Sequence, residues 1–274
     1  MSKVTSMWAE DFFRKHPVFT VDEFGRYLSS RGQNWSRAKA NLLSYHKKTG
    51  HVVSIRRGLY ATVPRGSDPL QHQVDPFLVA AKLAEDAVLS YHTALEFHGR
   101  AYSVQEYFTY TSAHPLAPFT HRGHVFRGVH FPQKLSRKKE EQFGVVEADR
   151  SGTSARVTNL ERTFVDTLHR PDLSGSWEEI WRSLESIQFL DLEQVLRYTQ
   201  LLGNATTAAR VGFFLEVHAD SLMVKEKDLA AFERLRPKHP TYLDRSQRQA
   251  GRLVARWNLM VPREVLERSW GATL

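Results

Sequence analysis

Between Trp35 and Val63 the sequence WSRAKANLLSYHKKTGHVVSIRRGLYATV changes its period once, at Gly50. Before the glycine, Ala38, Leu42 and Tyr45 recur at helical spacing with Leu43 to one side. They predict a helix over 37–49, with Ser36 placed to cap it. After the glycine come two short apolar runs, Val52 to Ile55 and Leu59 to Val63, joined by Arg56-Arg57-Gly58. This pattern predicts a β-hairpin with glycine in the left-handed position. Ala38, Leu42, Tyr45, Val53, Ile55 and Leu59 are then the expected core of a helix–hairpin unit.

The residues upstream complete that unit. Trp8, Phe12 and Phe13 predict a first helix over 7–15, ended by Pro17. Thr20 begins a T-x-x-E capping box with Glu23, which opens a second helix over 21–30. That helix buries Val21, Phe24, Tyr27 and Leu28, and Gly32 closes it. Helix, helix, helix and hairpin in this order predict a winged helix-turn-helix, whose third helix enters a DNA major groove.

Charge points the same way. Residues 1–68 hold 12 Lys and Arg against 5 Asp and Glu, a net of +7, while residues 69–274 hold 26 against 25, a net of +1. A basic module on a nearly neutral body suggests a polyanion as partner of that module. On the third helix Arg37, Asn41, Ser44 and Lys48 form one stripe opposite the apolar face, flanked by Lys47. Arg37 or Lys48 can neutralise phosphate or read guanine, Asn41 can bind an adenine edge, and Ser44 is permissive. Arg56 and Arg57 lie on the wing. The candidate DNA-binding residues are therefore Ser36, Arg37, Asn41, Ser44, Lys47, Lys48, Arg56 and Arg57. A solvated helix face and an ordinary turn are the competing interpretation.

The proline-rich stretch PRGSDPLQHQVDP, residues 64–76, reads as a linker, with the domain boundary drawn at 69–76. Residues 77–99 read as two helical pieces, the second capped by Ser90. Segments 104–112, 124–131, 143–149 and 154–157 read as strands, rich in aromatic and β-branched residues. From Thr158 the pattern turns helical. T-x-x-E at Thr158 and Glu161 resembles a second capping box, and helices follow over 177–187, 191–202, 206–220 and 228–235. The last forty residues are basic and irregular, with Trp257 and Trp270 as expected anchors. The expected fold class is α+β: a winged helix-turn-helix over 1–68, then a body over 77–274, sheet-rich to about 157 and helical beyond.

Signals for catalysis are sparse. The chain has no G-x-x-x-x-G-K-[ST], H-E-x-x-H or G-x-S-x-G, no two glycines at G-x-G spacing and no acid followed at i+2 by lysine. It has no cysteine, which excludes disulfides, thiolate metal sites and a cysteine nucleophile. His114, His121, His124 and His130 are close in sequence but lack carboxylates between them to orient a metal site. Glu161 is accounted for by capping, and Arg162 with Asp166 by an i, i+4 ion pair. No enzyme activity, metal or cofactor is expected. No apolar run reaches the length of a membrane span. The first residues, MSKVTSMWAEDFF, lack the apolar stretch of a signal peptide. A cytoplasmic location is expected.

The order of local stretches resembles one family. TGHVVSIRRGLYATV, VDPFLVAAKL, LSYHTALEFHG, VTNLERTFVDTLHRPDLSGSWEE and AARVGFFLE span about residues 20–216. In that order and spacing they are similar to the AbiE-type antitoxins of type IV toxin–antitoxin (abortive-infection) systems. The family often has a glycine pair where this chain has Ser174-Gly175-Ser176. The resemblance implies an N-terminal winged helix that represses its own operon at inverted repeats in the promoter. It also implies a C-terminal domain that neutralises a nucleotidyltransferase-like toxin encoded next door. Some relatives act as regulators without a toxin. Two other readings stay open: a nucleic-acid-processing enzyme with the winged helix as targeting arm, and a protein-interaction module whose basic domain only confers solubility.

Overall fold

The computed structural model describes the backbone of residues 3–32, 35–244 and 251–270, and side-chain burial at 7–32, 41–244 and 251–270. In chain order the first elements are α1 (Lys3–Lys15), β1 (Val18–Thr20), α2 (Val21–Ser30), α3 (Trp35–Lys48), β2 (Val52–Arg56), β3 (Leu59–Thr62), α4 (Pro76–Ala81) and β4 (Val88–Leu89). Next come α5 (His92–Phe97), β5 (Tyr107–Ser112), β6 (Phe119–His121), β7 (His124–His130), α6 (Gln133–Lys138), β8 (Val145–Arg150) and β9 (Thr153–Thr158). The remainder are α7 (Leu160–His169), α8 (Trp177–Glu185), α9 (Leu192–Leu202), α10 (Ala205–Val217), α11 (Glu226–Glu233), β10 (Thr241–Tyr242), β11 (Gly251–Val254), β12 (Leu259–Pro262) and α12 (Arg263–Glu267). The fold is mixed α+β. No helix among the described residues is long and apolar enough to cross a membrane.

The chain divides into two compact units. The first comprises Met1–Leu89, Glu106–Gly128 and Glu147–Arg156, and the second Ser90–Gln105, Val129–Val146 and Val157–Leu274. The first unit opens with three helices and a sheet in the order β1-β3-β2. Both pairings are antiparallel, with a bulge in β2 between Ser54 and Arg56. Its core joins Phe12 and Phe13 of α1, Phe19 of β1, Phe24 and Leu28 of α2, Leu42 and Leu43 of α3, and Val52 of β2. The Thr20–Glu23 capping box forms as expected. Tyr27 donates to Asp11 at 3.0 Å and ties α2 to α1. Lys15, Arg14 and Tyr27 together pull the Asp11 carboxyl down to about 2.

Several expectations shift here. The first helix begins at Lys3, before the expected start at 7. The third runs Trp35–Lys48, so Ser36 falls inside its first turn rather than ahead of it. The hairpin turn is Arg57-Gly58, because Arg56 still pairs with Leu59 across the bulge. Tyr45 is 49% exposed, while the neighbouring His46 is 1% exposed and takes the core position. Phe13 receives the His46 ring edge-on at 4.8 Å, a tertiary contact that helical spacing does not reveal. In β2 the buried residue is Val52, with Val53 and Ile55 only half-buried.

Neither ring nitrogen of His46 has a hydrogen-bond partner. Burial, then neighbouring His51, lowers its pKa from the ordinary 6.5, against an opposing pull from Glu10. The unfolded chain therefore binds a proton at a higher pH than the folded one. Stability falls as pH drops below about 6.5 and is unaffected above it. His46→Phe removes the unsatisfied nitrogens, whose desolvation costs about 1–3 kcal/mol. Its thermal midpoint should exceed that of wild type, and by more at pH 5.5 than at pH 7.5. An equal or lower midpoint at both pH values would contradict this account of the buried ring.

Residues 69–76 belong to the first unit. Asp75 caps α4 through the Phe77 N–H at 2.9 Å and accepts from Arg150 at 2.7 Å. A six-stranded sheet, for the most part in this unit, has the order β6-β7-β5-β4-β9-β8. β4 and β6 are strands that the sequence pattern did not predict.

The second unit is chiefly helical. Its core gathers Phe164, Trp181, Tyr198, Phe213, Phe214 and Trp257. The cap of α7 is Asn159, which accepts from the Arg162 N–H at 3.0 Å, and not the expected Thr158–Glu161 box. The cap of α5 is Tyr91, at φ 59°, in place of Ser90. α6 is a further helix absent from the sequence expectation. The final stretch is more regular than expected, with β12 paired parallel to β10 and antiparallel to β11.

Candidate nucleic-acid interface

α3 owes its orientation to Leu42, Leu43 and His46, all buried. These leave Asn41, Ser44, Lys47 and Lys48 exposed on the other side, joined by Tyr45. The side chains of Ser36 and Arg37 lie outside the described residues. Lys47 Nζ stands 5.9 Å from the centre of the Tyr60 ring on β3, which links the end of the helix to the hairpin.

The hairpin tip is fixed by the backbone. Gly58 sits at φ 84°, and its carbonyl accepts from the Val21 N–H at 2.8 Å, at the start of α2. Arg57 is exposed at this turn. Arg56 is half-buried, with its guanidinium 5.2 Å from the centre of the Phe119 ring. The two arginines, equivalent in sequence, thus have different surroundings: Arg57 is open to a ligand, and Arg56 is stacked on an aromatic face.

The electrostatics of this face follow from where the acids are. Residues 35–63 contain none. Of the acids in residues 1–68, Asp11 pairs with Arg14 and Lys15, Glu10 with Arg65 and Glu23 with Lys82. An amide, a hydroxyl and two ammonium groups on one helix face, with an exposed guanidinium on the hairpin that follows, suit base edges and phosphates.

The second unit buries two polar clusters. Asp166 accepts from Tyr198 Oη at 2.6 Å and from Arg162 Nε at 3.3 Å, while Arg162 Nη1 donates to the carbonyls of Glu141 and Phe143. Glu179 accepts from Ser103 Oγ at 2.6 Å, Ser183 Oγ at 3.0 Å and the Ser103 N–H at 3.1 Å, with His92 Nε2 at 3.0 Å. Ser103 and His92 both bond the carboxylate rather than each other, which differs from the serine–histidine–acid chain of a nucleophilic site. Among the described residues no group of three or more histidines and acids is placed to hold a metal ion.

No protein-family profile matches the chain. No curated protein matches it either. Among solved structures, the chain is similar to the Rv2827c protein of Mycobacterium tuberculosis, with 16% identity, a TM-score of 0.61, and coverage of 96% of this chain and 91% of that one. At this identity the likeness is one of fold.

Proposed function

We propose that the first unit carries a winged helix-turn-helix and that the protein is a transcriptional repressor acting on its own operon. In this reading α2 and α3 are the helix pair, α3 is the recognition helix, and β2 and β3 are the wing. The observation that carries it is the exposed face of Asn41, Ser44, Lys47 and Lys48, with exposed Arg57 on the hairpin that follows, in a stretch without a carboxylate. The resemblance to AbiE-type antitoxins supplies the second half of the proposal. The body serves as antitoxin to a nucleotidyltransferase-like toxin, and the partner DNA is an inverted repeat in the promoter, met in the cytoplasm. No cofactor is invoked.

The test is binding to duplex DNA from upstream of the reading frame, measured by fluorescence anisotropy over a salt series. Affinity should fall steeply with salt. Asn41→Ala should weaken binding by about 1–3 kcal/mol and relax sequence preference. Lys48→Ala and Arg57→Ala should weaken all duplexes alike and each lower the salt slope by about 1. Wild-type affinity in an Asn41→Ala/Lys48→Ala variant would remove α3 from its assigned role. Metal-dependent cleavage of plasmid or RNA by the purified protein would replace the repressor with an enzyme. Co-expression with the neighbouring reading frame separates an antitoxin, which restores growth, from a stand-alone regulator, which does not.

A further inference from the structure

The first unit carries a second hairpin whose tip has the same chemistry as the wing. β6 and β7 pair antiparallel as Phe119↔Phe126, Thr120↔Val125 and His121↔His124. Arg122 and Gly123 close it at φ 50° and 83°. Positive φ at both positions defines a two-residue turn that favours Asn or Gly at the first. An arginine there holds backbone strain that those residues would not. The wing ends in the same dipeptide, Arg57-Gly58. From Tyr107 to Gly128 the chain has no Asp or Glu, but has Arg122, Arg127, His114, His121 and His124.

Two contacts set this hairpin beside the wing. Arg56 stacks over Phe119, which in turn stacks on buried Phe126 at 5.1 Å. Arg122 Nη2 donates to the Pro69 carbonyl at 2.6 Å, on the chain that follows β3. Arg122 is nonetheless exposed. The nearest acid along that chain, Asp68, has its carboxylate on the Leu70 N–H at 2.9 Å. His121 Nε2 and His124 Nδ1 are buried without hydrogen-bond partners, and Arg122 is the exposed cation of the turn.

We infer that the β6–β7 hairpin is a second DNA-contacting element, in which Arg122 meets a backbone phosphate flanking the stretch covered by α3 and the wing. This rests on the winged-helix reading of the first unit. It places part of the interface beyond residue 68, where the overall charge is nearly balanced. Arg56 then acts as a positioning residue, with its stacking on Phe119 keeping the two tips together.

Arg122→Asn removes the charge together with the bond to the Pro69 carbonyl, while asparagine suits the turn better than arginine does. Its thermal midpoint should match or exceed that of wild type. Binding to promoter duplex should lose about one unit of salt slope, which at ~0.1 M salt is roughly an eight-fold loss of affinity. Lengthening the duplex past the minimal site should tighten wild type and leave Arg122→Asn unchanged. Arg57→Ala serves as the wing control. If Arg57→Ala weakens binding while Arg122→Asn keeps both affinity and slope, the hairpin is overturned and the winged helix stands. If wild type binds no duplex, both readings fall.

Discussion

Asp166→Ala is expected to destabilise the protein by about 3–5 kcal/mol, on the order of a 10 °C fall in thermal midpoint. Arg162 is 0% exposed and Asp166 only 1%. The Asp166 carboxylate lies 3.3 Å from the guanidinium Nε, and it also accepts from the buried Tyr198 hydroxyl. The Glu141 and Phe143 carbonyls still accept from Nη1 after the substitution, but they carry no compensating charge. Removing one member of a buried ion pair strands the other in a low-dielectric interior, which is why the loss exceeds the net worth of the pair. Arg162→Met in the Asp166→Ala background removes the stranded charge and should recover part of the loss. Urea unfolding of the three variants checks the scheme. A loss below about 1 kcal/mol for Asp166→Ala would mean that water reaches the pair in the folded state.

How far the sequence could be read depended on whether each feature is local. Thr20 and Glu23 complete their capping box within four residues, so composition and spacing suffice. Thr158 and Glu161 have the same spacing, yet other partners claim both. Thr158 Oγ1 lies 2.7 Å from the Thr163 hydroxyl, Glu161 accepts from the Asp191 N–H, and the cap passes to Asn159. β4 has two residues and β6 three, too short for any period to show; they are strands because β5 and β7 pair with them. On α3 the basic and polar face was legible, since Asn41, Ser44 and Lys48 follow from helical spacing. The boundary of that face was not. Tyr45 and His46 both stand at its edge, and packing against Phe13 decides which is buried. Arg56 and Arg57 are likewise adjacent in sequence, and only Phe119, far along the chain, separates a stacked guanidinium from an exposed one.

Gly212→Ala reverses the usual sign of a glycine-to-alanine change in a helix. Within α10 alone, alanine should be favoured by about 1 kcal/mol. A Cβ at this position, however, would lie 2.1 Å from Cζ3 and 2.3 Å from Cη2 of Trp257. The indole has little freedom to withdraw, because it is fully buried. Its Nε1 donates at 2.6 Å to Glu216, one turn further along the same helix. Arg256, next in the chain, is tied to Glu216, Glu226 and Glu233. Relief therefore requires α10 to move away from the segment that carries Trp257, in a core that also holds Phe213 and Phe214. Overpacking typically costs about 1–3 kcal/mol and more where neither side can yield, so a net loss of at least ~3 kcal/mol is expected. Trp257→Leu in the Gly212→Ala background frees the space and should restore stability relative to Gly212→Ala alone, although Trp257→Leu by itself opens a cavity and destabilises. A double-mutant cycle with no coupling between the two positions would show that α10 and the indole shift apart without resistance.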